Sequence, residues 1–331
     1  MTTRLSEDDL IARYFAPLAG PGGLGLYDDV AVMTPPEGAE LVLTVDALVG
    51  GVHFFTDDPP DAIARKSLRV NLSDLAAKGA EPAGFLLALA LPPDWTDDWL
   101  AAFARGLGDD VAAFRFPLLG GDTVRTPGPL TLSVTALGFV PEGDMVPRTG
   151  VEPGDRIYVS GTIGDAALGL ALRLGKPEDA GWIAGLPREA SDFLRSRYLE
   201  PQPRLGLRKV LRAYANGGMD VSDGLVGDLS KMLRVSECAA DVDVGRLPLS
   251  PAARDALAHA PHLLRTIATG GDDYEIIASV PESQCAAFEA GARAAGIAVT
   301  QIGVAREGRG LTLHDANGAP LDFGKGSFSH F

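Results

Sequence analysis

The chain has 331 residues, of which 46% are hydrophobic, and this length and composition suggest about two globular domains. The formal net charge is −15, from 44 acidic and 29 basic residues, which argues against binding to nucleic acids or to anionic membrane surfaces. The only cysteines, Cys238 and Cys285, form no CxxC pair, and the N-terminal segment lacks the features of a signal peptide, so we expect a cytoplasmic protein without disulfides or a zinc site.

The first half of the chain alternates predicted helices and strands. A helix should begin after Ser6, which together with Asp9 resembles a capping box. Short runs rich in Val, Leu and Thr predict strands, and apolar residues at helical spacing predict the helices between them. In chain order we predict a strand at Glu40–Asp46, a helix from Asp61 to about Lys78, a strand at Ala83–Leu91, a helix from Asp94 or Thr96, a strand at Pro117–Leu119, a loop carrying Asp122 and a strand at Leu130–Val140.

A segment rich in proline, glycine and charge, residues 141–155, has no periodicity and predicts a domain boundary. We therefore place the domains at residues 1–148 and 149–331. Continued alternation of strands and helices predicts an α/β (α+β) fold. The elements predicted in the second domain are a strand at 156–159, a helix ending at Leu174, a helix at 201–214, a turn at 219–225 that opens a helix ending at Leu233, a strand at 275–280 and a helix at 283–295.

Aspartates recur directly after apolar or glycine-rich runs, which predicts a placement at the ends of strands. Two bare carboxylates about 4 Å apart repel by about 4 kcal/mol at an effective dielectric near 20, so a converging set would require cations. Mg²⁺ is usually held by one or two carboxylates plus substrate phosphates, and we therefore predict a site for magnesium and phosphate. The clusters are Tyr27-Asp28-Asp29, Thr44-Val45-Asp46, Asn71-Leu72-Ser73-Asp74, Gly120-Gly121-Asp122-Thr123, Asp220-Val221-Ser222-Asp223-Gly224 and Gly270-Gly271-Asp272-Asp273-Tyr274-Glu275.

Each cluster also has an ordinary structural interpretation. Asp74 could form a surface ion pair on a helix, and Asp220 and Asp223 could cap a helix. The turn Gly161–Gly164 could present N–H groups to an anion, although such a turn more often only connects a strand to a helix. No Walker A motif occurs, and the DFG tripeptide at 322–324 has no other protein-kinase motif around it.

A series of motifs, in order from about residue 8 to residue 331, resembles thiamine-monophosphate kinases. The motif GGDT alone is a weak signal, whereas NLSDLAAKGAEP together with GVHF and the terminal HF is specific. These kinases belong to the superfamily of aminoimidazole ribonucleotide synthetase and selenophosphate synthetase. The series reads YDDVAV, TVDALVGGVHF, KSLRVNLSDLAAKGAEP, LLGGDT, VPRTG, VSGTIGDAALGL, DVSDGL, GGDDYE and SHF.

The resemblance implies an enzyme that transfers the γ-phosphoryl group of ATP to thiamine monophosphate, giving thiamine diphosphate, with the help of several Mg²⁺ ions. It also implies a homodimer in which the N-terminal α/β domains pair through strands into a shared barrel, while the C-terminal α/β domain completes the active site. The implied magnesium ligands and their neighbours are Asp29, Thr44, Val45, Asp46, Asp74, Asp122, Asp220 and Asp223. The implied ATP contacts are Gly121, Asp122, Arg148 and Ser222, and the implied thiamine contacts are His53, Asp272 and Phe323.

No general base is required for such a reaction, and we assign no catalytic residue. The acceptor phosphate is largely ionised at pH 7, because its second pKa is about 6. The obstacle is the repulsion between two phosphate anions, which metal ions and in-line positioning overcome.

The chain departs from the family pattern in three places. Tyr27 stands where the family usually has glycine, and Asp272 stands where it has glutamate. Extra residues near the C-terminus make Phe328 an alternative to Phe323. Aminoimidazole ribonucleotide synthetase is the alternative enzyme, and a non-catalytic protein that binds nucleotide or metal is the alternative of another class, supported by the bulk of Tyr27.

Overall fold

The computed structural model describes residues 6–324, which form two compact units. The first unit runs to Leu75 and resumes at Ala80–Gly143, and the second comprises Ala76–Gly79 and the chain from Asp144 onward. Each unit combines a mixed β-sheet with α-helices, so the expected two-domain α/β architecture is confirmed. No helix among residues 6–324 is both long and apolar enough to cross a bilayer.

The first unit is built on one four-stranded sheet. Its elements are α1 (Glu7–Leu10), a π-turn (Ile11–Phe15), 3₁₀ turns (Ala16–Leu18 and Pro21–Leu26), β1 (Ala39–Val49), α2 (Pro60–Ala77), β2 (Glu81–Leu91), α3 (Asp97–Phe114), β3 (Leu118–Arg125) and β4 (Thr131–Pro141). The strand order is β1-β4-β2-β3, so β1 and β3 are the two edges. β2 and β3 run parallel, and the other neighbours run antiparallel.

One face of this sheet is covered and the other is open. Along β4, Leu132, Val134 and Ala136 are buried while the residues between them are half-exposed, which is the period of two that a one-sided sheet requires. The covered face meets α2, because a Cβ placed on Gly138 would lie 3.1 Å from the side chain of Leu75. The open face carries the exposed apolar side chains of Leu41, Leu43, Val45 and Leu86.

Two predicted strand boundaries are wrong, and both concern aspartates of the acidic set. β1 continues to Val49, so Asp46 lies within the strand rather than at its end. β3 extends to Arg125, so Asp122 also lies in a strand and not in a loop. Asp46 pairs with β4 and Asp122 pairs with β2. Backbone pairing therefore outweighs the low β-propensity of Gly and Asp at these positions.

The second unit is built on a seven-stranded sheet. Its elements are β5 (Arg156–Ser160), α4 (Asp165–Leu174), α5 (Ala180–Gly185), α6 (Arg188–Leu199), α7 (Arg208–Tyr214), β6 (Gly217–Asp220), α8 (Leu225–Val235), β7 (Ala239–Asp243), α9 (Pro251–His259), α10 (Leu263–Thr269), β8 (Ile276–Val280), α11 (Cys285–Ala294), β9 (Val299–Arg306), β10 (Gly310–His314) and β11 (Pro320–Leu321). The strand order is β11-β10-β7-β9-β5-β8-β6, and among these described strands only β10 and β7 run parallel.

Helices cover both faces of this second sheet. β8 is buried along its whole length, as expected for a strand with a hydrophobic layer on each side. On β5, Ile157 and Val159 belong to the apolar cluster that includes α4 and α8, whereas Tyr158 belongs to the cluster that includes α7 and α11. The sheet therefore has two hydrophobic layers, one on each face.

The helix predicted at 201–214 is shorter than expected. A 3₁₀ turn covers Leu205–Leu207, and the α-helix begins only at Arg208. Pro201 and Pro203 explain the difference, because proline lacks a donor N–H and disfavours helical backbone in the residue before it.

Replacing Gly121 by alanine should destabilise the first unit strongly. A Cβ at this position would lie 1.9 Å from the carbonyl oxygen of Leu87 on β2, so β3 would have to move away from its neighbour. We expect the free energy of unfolding to fall by about 3 kcal/mol, measured by urea denaturation with circular dichroism and tryptophan fluorescence. Gly128→Ala is the control, because its Cβ would meet no atom closer than 3.4 Å. Equal stability of the two variants would contradict this expectation.

Candidate functional site

A groove in the first unit brings several of the expected site residues together. It has a volume of about 840 Å³ and is lined by α1, the 26–33 segment and the open side of β2, β3 and β4. Asp29, Gly121 and Asp122 line it, and Asp28 adds another carboxylate. None of the ion pairs formed within residues 6–324 involves these three aspartates. The groove therefore carries negative charge that cations from solution would neutralise.

A second group of expected residues lies on the covered face of the same sheet. Thr44 on β1 donates a hydrogen bond of 2.5 Å from Oγ1 to Oδ2 of Asp74 on α2. Asp46 lies two residues further along β1 and so points to the same face. On α2, Asn71 shares the helix face of Asp74, is fully buried, and has an Oδ1 that accepts no hydrogen bond from the described residues. This group offers oxygen donors, which are the ligands that Mg²⁺ prefers.

The sheet separates these two groups of residues. Asp46 on β1 and Asp122 on β3 are three strand spacings apart, which corresponds to about 14 Å. Asp46 pairs with Val134 on the covered face, whereas Asp122 pairs with Ala88 on the open face. Because Mg²⁺ binds oxygen at about 2.1 Å, these two carboxylates of one chain would serve different ions.

The segment that carries Asp29 begins in strained backbone. Leu24, Gly25 and Leu26 have positive φ angles of 50°, 68° and 59°, a conformation that costs a non-glycine residue about 1 kcal/mol or more. Tyr27 follows and is 93% exposed. Its side chain is not among those that line the groove, so the residue that replaces the family glycine does not fill this space.

In the second unit, two motif loops are joined by backbone hydrogen bonds. One loop connects β6 to α8 and the other precedes β8. The N–H of Val221 donates to the carbonyl of Glu275, and the N–H of Tyr274 donates to the carbonyl of Val221, both at 2.8 Å. The N–H of Asp272 donates to the carbonyl of Ser222, also at 2.8 Å. The expected metal-binding loop and the expected substrate-binding loop are therefore fixed to each other.

Asp223 has a lysine counter-ion that the motifs do not indicate. Nζ of Lys231 contacts Oδ2 of Asp223 and lies 2.9 Å from Oδ1 of Asp228. Asp228 is buried, and its Oδ2 accepts the N–H groups of Ser222 and Asp223 at 3.0 and 2.9 Å. Burial raises the pKa of Asp228, and the hydrogen bond from Lys231 opposes that shift. In the sequence, the only local indication of these contacts is the i,i+3 spacing of Asp228 and Lys231 on α8, which favours an ion pair between those two residues.

A buried carboxylate occupies the N-terminus of α4. Asp273 accepts the N–H groups of Gly164 and Ala166 at 2.7 and 3.2 Å. The turn Gly161–Gly164 thus gives an N–H group to a carboxylate of the protein, which supports its structural interpretation. Burial raises the pKa of Asp273 well above its usual range, and the neighbouring Asp165 adds to the shift.

Glu275 anchors the loop that carries Asp272. Its carboxylate is fully buried, and it accepts hydrogen bonds from Arg197 at 3.0 Å, from Ser160 at 2.6 Å and from both Nε and Nη2 of Arg204. The two arginines lie 78 and 71 residues away along the chain, so no local pattern indicates these contacts. The double ion pair fixes the start of β8 and with it the preceding loop.

The remaining expected ligand contacts lie on other segments of the chain. His53 follows β1, and its Nδ1 accepts the N–H of Val49 at 2.9 Å, which fixes the orientation of the ring. Arg148 is exposed in the second unit. Phe323 packs against the main apolar cluster of the second unit. The alternative aromatic residue, Phe328, lies outside the described residues.

The donor atoms fit Mg²⁺ in type, although they do not gather at one point. Within residues 6–324, no three Asp, Glu, His or Cys side chains come together as a metal-binding group. Mg²⁺ usually takes only one or two carboxylates and completes its shell with waters and phosphate oxygens. The groove aspartates and the Thr44–Asp74 pair are compatible with that requirement, each with oxygen donors.

Comparison with known proteins identifies the family. Residues 27–140 match the N-terminal domain of AIR synthase related proteins, and residues 152–316 match the C-terminal domain of the same proteins. A thiamine-monophosphate kinase of Caulobacter vibrioides is 45% identical over 314 residues, which cover 93% of this chain and 86% of that protein. The chain belongs to the thiamine-monophosphate kinase family.

Solved structures agree with membership of the thiamine-monophosphate kinase family. The crystal structure of thiamine-monophosphate kinase from Stenotrophomonas maltophilia K279a has a TM-score of 0.80 at 39% identity, covering 89% of this chain and 91% of that chain. AaThiL complexed with AMPPCP and TMP has a TM-score of 0.77 at 28% identity, covering 100% of both chains. The expectations of an enzyme and of a kinase are thereby confirmed.

Asp273 should make this thiamine-monophosphate kinase family member less stable as the pH rises. Its folded-state pKa is raised above the ordinary value of 3.8, so the folded protein keeps a proton that the unfolded chain releases. The stabilising contribution is complete below about pH 3.8 and is lost as the pH rises through the raised pKa, with a slope of up to about 1.4 kcal/mol per pH unit.

The comparison of wild type with Asp273→Asn tests this pH dependence, because asparagine has no proton to lose. Urea denaturation over a series of pH values above 4 should show the wild type losing stability relative to the variant. Parallel pH profiles for the two proteins would show that Asp273 does not titrate differently in the folded and unfolded states.

Proposed function

We propose that the chain transfers the γ-phosphoryl group of ATP directly to thiamine monophosphate and forms thiamine diphosphate. The main support is the 45% identity to a thiamine-monophosphate kinase across 93% of the chain. AaThiL, which is 28% identical and fully covered, is complexed with AMPPCP and TMP. AMPPCP is a non-cleavable analogue of ATP, and a complex that holds both ligands supports direct transfer between them.

The proposed reaction needs charge compensation rather than proton transfer. The acceptor phosphate is largely ionised at pH 7, so no side chain has to remove a proton from it. Bound Mg²⁺ ions would supply the positive charge that offsets the repulsion between donor and acceptor phosphates. The residues of the chain hold the two phosphates in line, and we assign no catalytic acid or base.

Several Mg²⁺ ions, rather than one, are part of this proposal. The support is the division of the acidic residues between two faces of the first sheet, together with the further carboxylates of the second unit. The proposed ligands are Asp29, Asp46, Asp74 and Asp122 in the first unit and Asp220 and Asp223 in the second, with Thr44 and the backbone of Val45 beside them.

We assign the nucleotide to the groove of the first unit, whose aspartates form no ion pair with any residue from 6 to 324. The proposed ATP contacts are Gly121, Asp122, Arg148 and Ser222, and the proposed thiamine contacts are His53, Asp272 and Phe323. Gly121 is exposed and lines the groove, and Arg148 is an exposed cation. Asp272 has a positive φ of 72° in a loop that Glu275 anchors, which favours a fixed contact.

We propose that the chain acts as a homodimer through the open face of the first sheet. Leu43 pairs with Leu137, and Val45 pairs with Thr135, whose other neighbour is Leu86. Leu43 and Val45 are 58% and 61% exposed, respectively. An apolar sheet face bordered by the edge strands β1 and β3 favours association, and pairing of those edges between copies would give a shared barrel.

We place the reaction in the cytoplasm. Cys238 and Cys285 are both free thiols, as expected in a reducing compartment.

Removing the carboxylate of Asp122 in the groove, or that of Asp74 beside Thr44, should abolish most of the kinase activity. We expect Asp122→Asn and Asp74→Asn each to lower kcat for thiamine diphosphate formation by about a hundredfold or more. Folding should be retained, because the loss of a like charge relieves repulsion in the ligand-free protein. The assay follows thiamine diphosphate from ATP, Mg²⁺ and thiamine monophosphate by chromatography.

The control for this assay is Asp94→Asn, which changes an exposed carboxylate outside the groove. Unchanged turnover in both Asp122→Asn and Asp74→Asn would refute the metal assignment. Turnover of formylglycinamidine ribonucleotide in place of thiamine monophosphate would instead establish the alternative, an aminoimidazole ribonucleotide synthetase.

Charged residues on the open face should prevent dimer formation. A Leu41→Arg/Leu43→Arg variant places two like charges on that face, and we expect its mass by analytical ultracentrifugation to be that of a monomer. Leu174→Arg is the control, because Leu174 is an exposed apolar residue of the second unit. A wild-type protein that is monomeric at micromolar concentration would exclude the homodimer.

A further inference from the structure

We propose that Asn71 is a further ligand, through its Oδ1 atom, of the divalent cation assigned to Asp46 and Asp74 on the covered face of the first sheet. The inference rests on the proposed function, because it takes these two aspartates as magnesium ligands. It adds a neutral side chain to them, and it depends only on residues of the first unit.

Helix α2 buries two stripes of side chains of different character. One is an ordinary apolar stripe, fully buried at positions i, i+4 and i+7 and formed by Leu68, Leu72 and Leu75. The other begins one position earlier with the same spacing and is polar: Ser67 and Asn71 are fully buried, and Asp74 follows them. Polar side chains on a buried helix face are unfavourable unless their polar atoms have partners. The second stripe therefore indicates a role other than packing.

The two fully buried side chains of this polar stripe have a single oxygen without a partner. The hydroxyl of Ser67 donates to the carbonyl of Ala64 at 2.7 Å, and Nδ2 of Asn71 donates to the carbonyl of Ser67 at 3.0 Å. The second bond identifies the nitrogen of the amide, because the flipped amide would set two carbonyl oxygens against each other. Oδ1 of Asn71 is therefore a buried acceptor with no donor among residues 6–324, and an ion or an ordered water can supply the missing partner.

The direction of α2 places Asn71 opposite Asp46. β1 and β2 both pair antiparallel with β4, so they run parallel to each other, and the helix that connects them runs the opposite way. Thr44 on β1 contacts Asp74 on α2. The helical turn before Asp74 therefore lies over the strand residues that follow Thr44, where Asp46 is the next side chain on the covered face. Val134, which pairs with Asp46 on β4, has no side-chain donor to offer.

A divalent cation fits these oxygens better than a water molecule does. Thr44 gives its hydroxyl proton to Oδ2 of Asp74, so its Oγ1 has no proton left for another acceptor. Ionised Asp46 and Asp74 are acceptors only, and Asn71 adds one more acceptor to them. A water molecule has two protons to donate, whereas a hard cation accepts several oxygen ligands at once and offsets the repulsion between the carboxylates.

Asn71→Leu tests this proposal, because leucine is close to asparagine in shape and has no oxygen. Without divalent cations, we expect the variant to unfold at a higher urea concentration than wild type, since the buried amide with its unpaired oxygen is gone. Its affinity for Mn²⁺, which accepts the same oxygen ligands as Mg²⁺, should fall at least about tenfold at one site. Electron paramagnetic resonance on the full chain without nucleotide measures this affinity.

Ser67→Ala is the matched control. Ser67 lies one helical turn away on the same stripe and is equally buried, but its hydroxyl has a partner, so the variant should bind Mn²⁺ as wild type does.

Asn71→Asp keeps the test decisive if Asn71→Leu folds poorly. Aspartate retains the oxygen and adds negative charge, so the protein without cations should be less stable, and Mn²⁺ should bind more tightly and raise the urea midpoint further than in wild type. Wild-type Mn²⁺ affinity in both Asn71→Leu and Asn71→Asp would overturn the proposal and leave water as the partner of Oδ1.

Asp74→Asn separates this inference from the proposed function. If Asp74→Asn weakens Mn²⁺ binding while Asn71→Leu keeps the wild-type affinity, Asn71 is not a ligand and the assignment of Asp74 stands. If neither variant changes Mn²⁺ affinity, the covered face is not a metal site, and the inference is overturned together with that assignment. Formation of thiamine diphosphate by the wild-type chain is measured separately and decides the kinase activity itself.

Discussion

Compensation of negative charge is the constraint on which this structure depends. With a net charge of −15, the chain can place carboxylates near one another only if each has a cation or a hydrogen-bond donor. In the second unit the partners are internal, since Glu275 has two arginines and Asp228 has Lys231. In the groove of the first unit, no ion pair within residues 6–324 involves the three aspartates. This contrast separates Glu275 and Asp228, which have internal cationic partners, from the groove aspartates, which form no ion pair within the described residues.

Local patterns predicted the elements whose information is local. The helix from Asp61 and the strand up to Val280 were predicted correctly, because helical spacing and β-branched runs are properties of short segments. The full extent of β3 was not predicted, because the segment Gly120-Gly121-Asp122 has the composition of a loop. It forms a strand only because its backbone pairs with β2. The anchoring of Glu275 is likewise long-range, since Arg197 and Arg204 lie far away along the chain.

The boundary error at Asp122 also concealed part of the site. Once β3 is a strand, its pairing with β2 places Asp122 beside Ala88 on the open face of the sheet. The order of the motifs predicted that Asp46 and Asp122 belong to one functional set, but it does not show on which face of the sheet each side chain lies. The separation of these aspartates by the sheet follows from strand order and register, which arise from pairing between distant segments.

The open face relates the charge of the groove to the proposed assembly. The groove is lined by Leu86, Ser133, Thr135 and Leu137, which also belong to the open face of the sheet. A second copy on this face would exclude water next to the groove and lower the local dielectric, which strengthens both the repulsion among the groove aspartates and their attraction for cations. Ligands that bring cations to the groove would then favour association by mass action, because in the proposed homodimer they would bind the assembled form more tightly. In the proposed homodimer, burial of the apolar face and neutralisation of the groove would therefore be coupled, and each would lower the free-energy cost of the other.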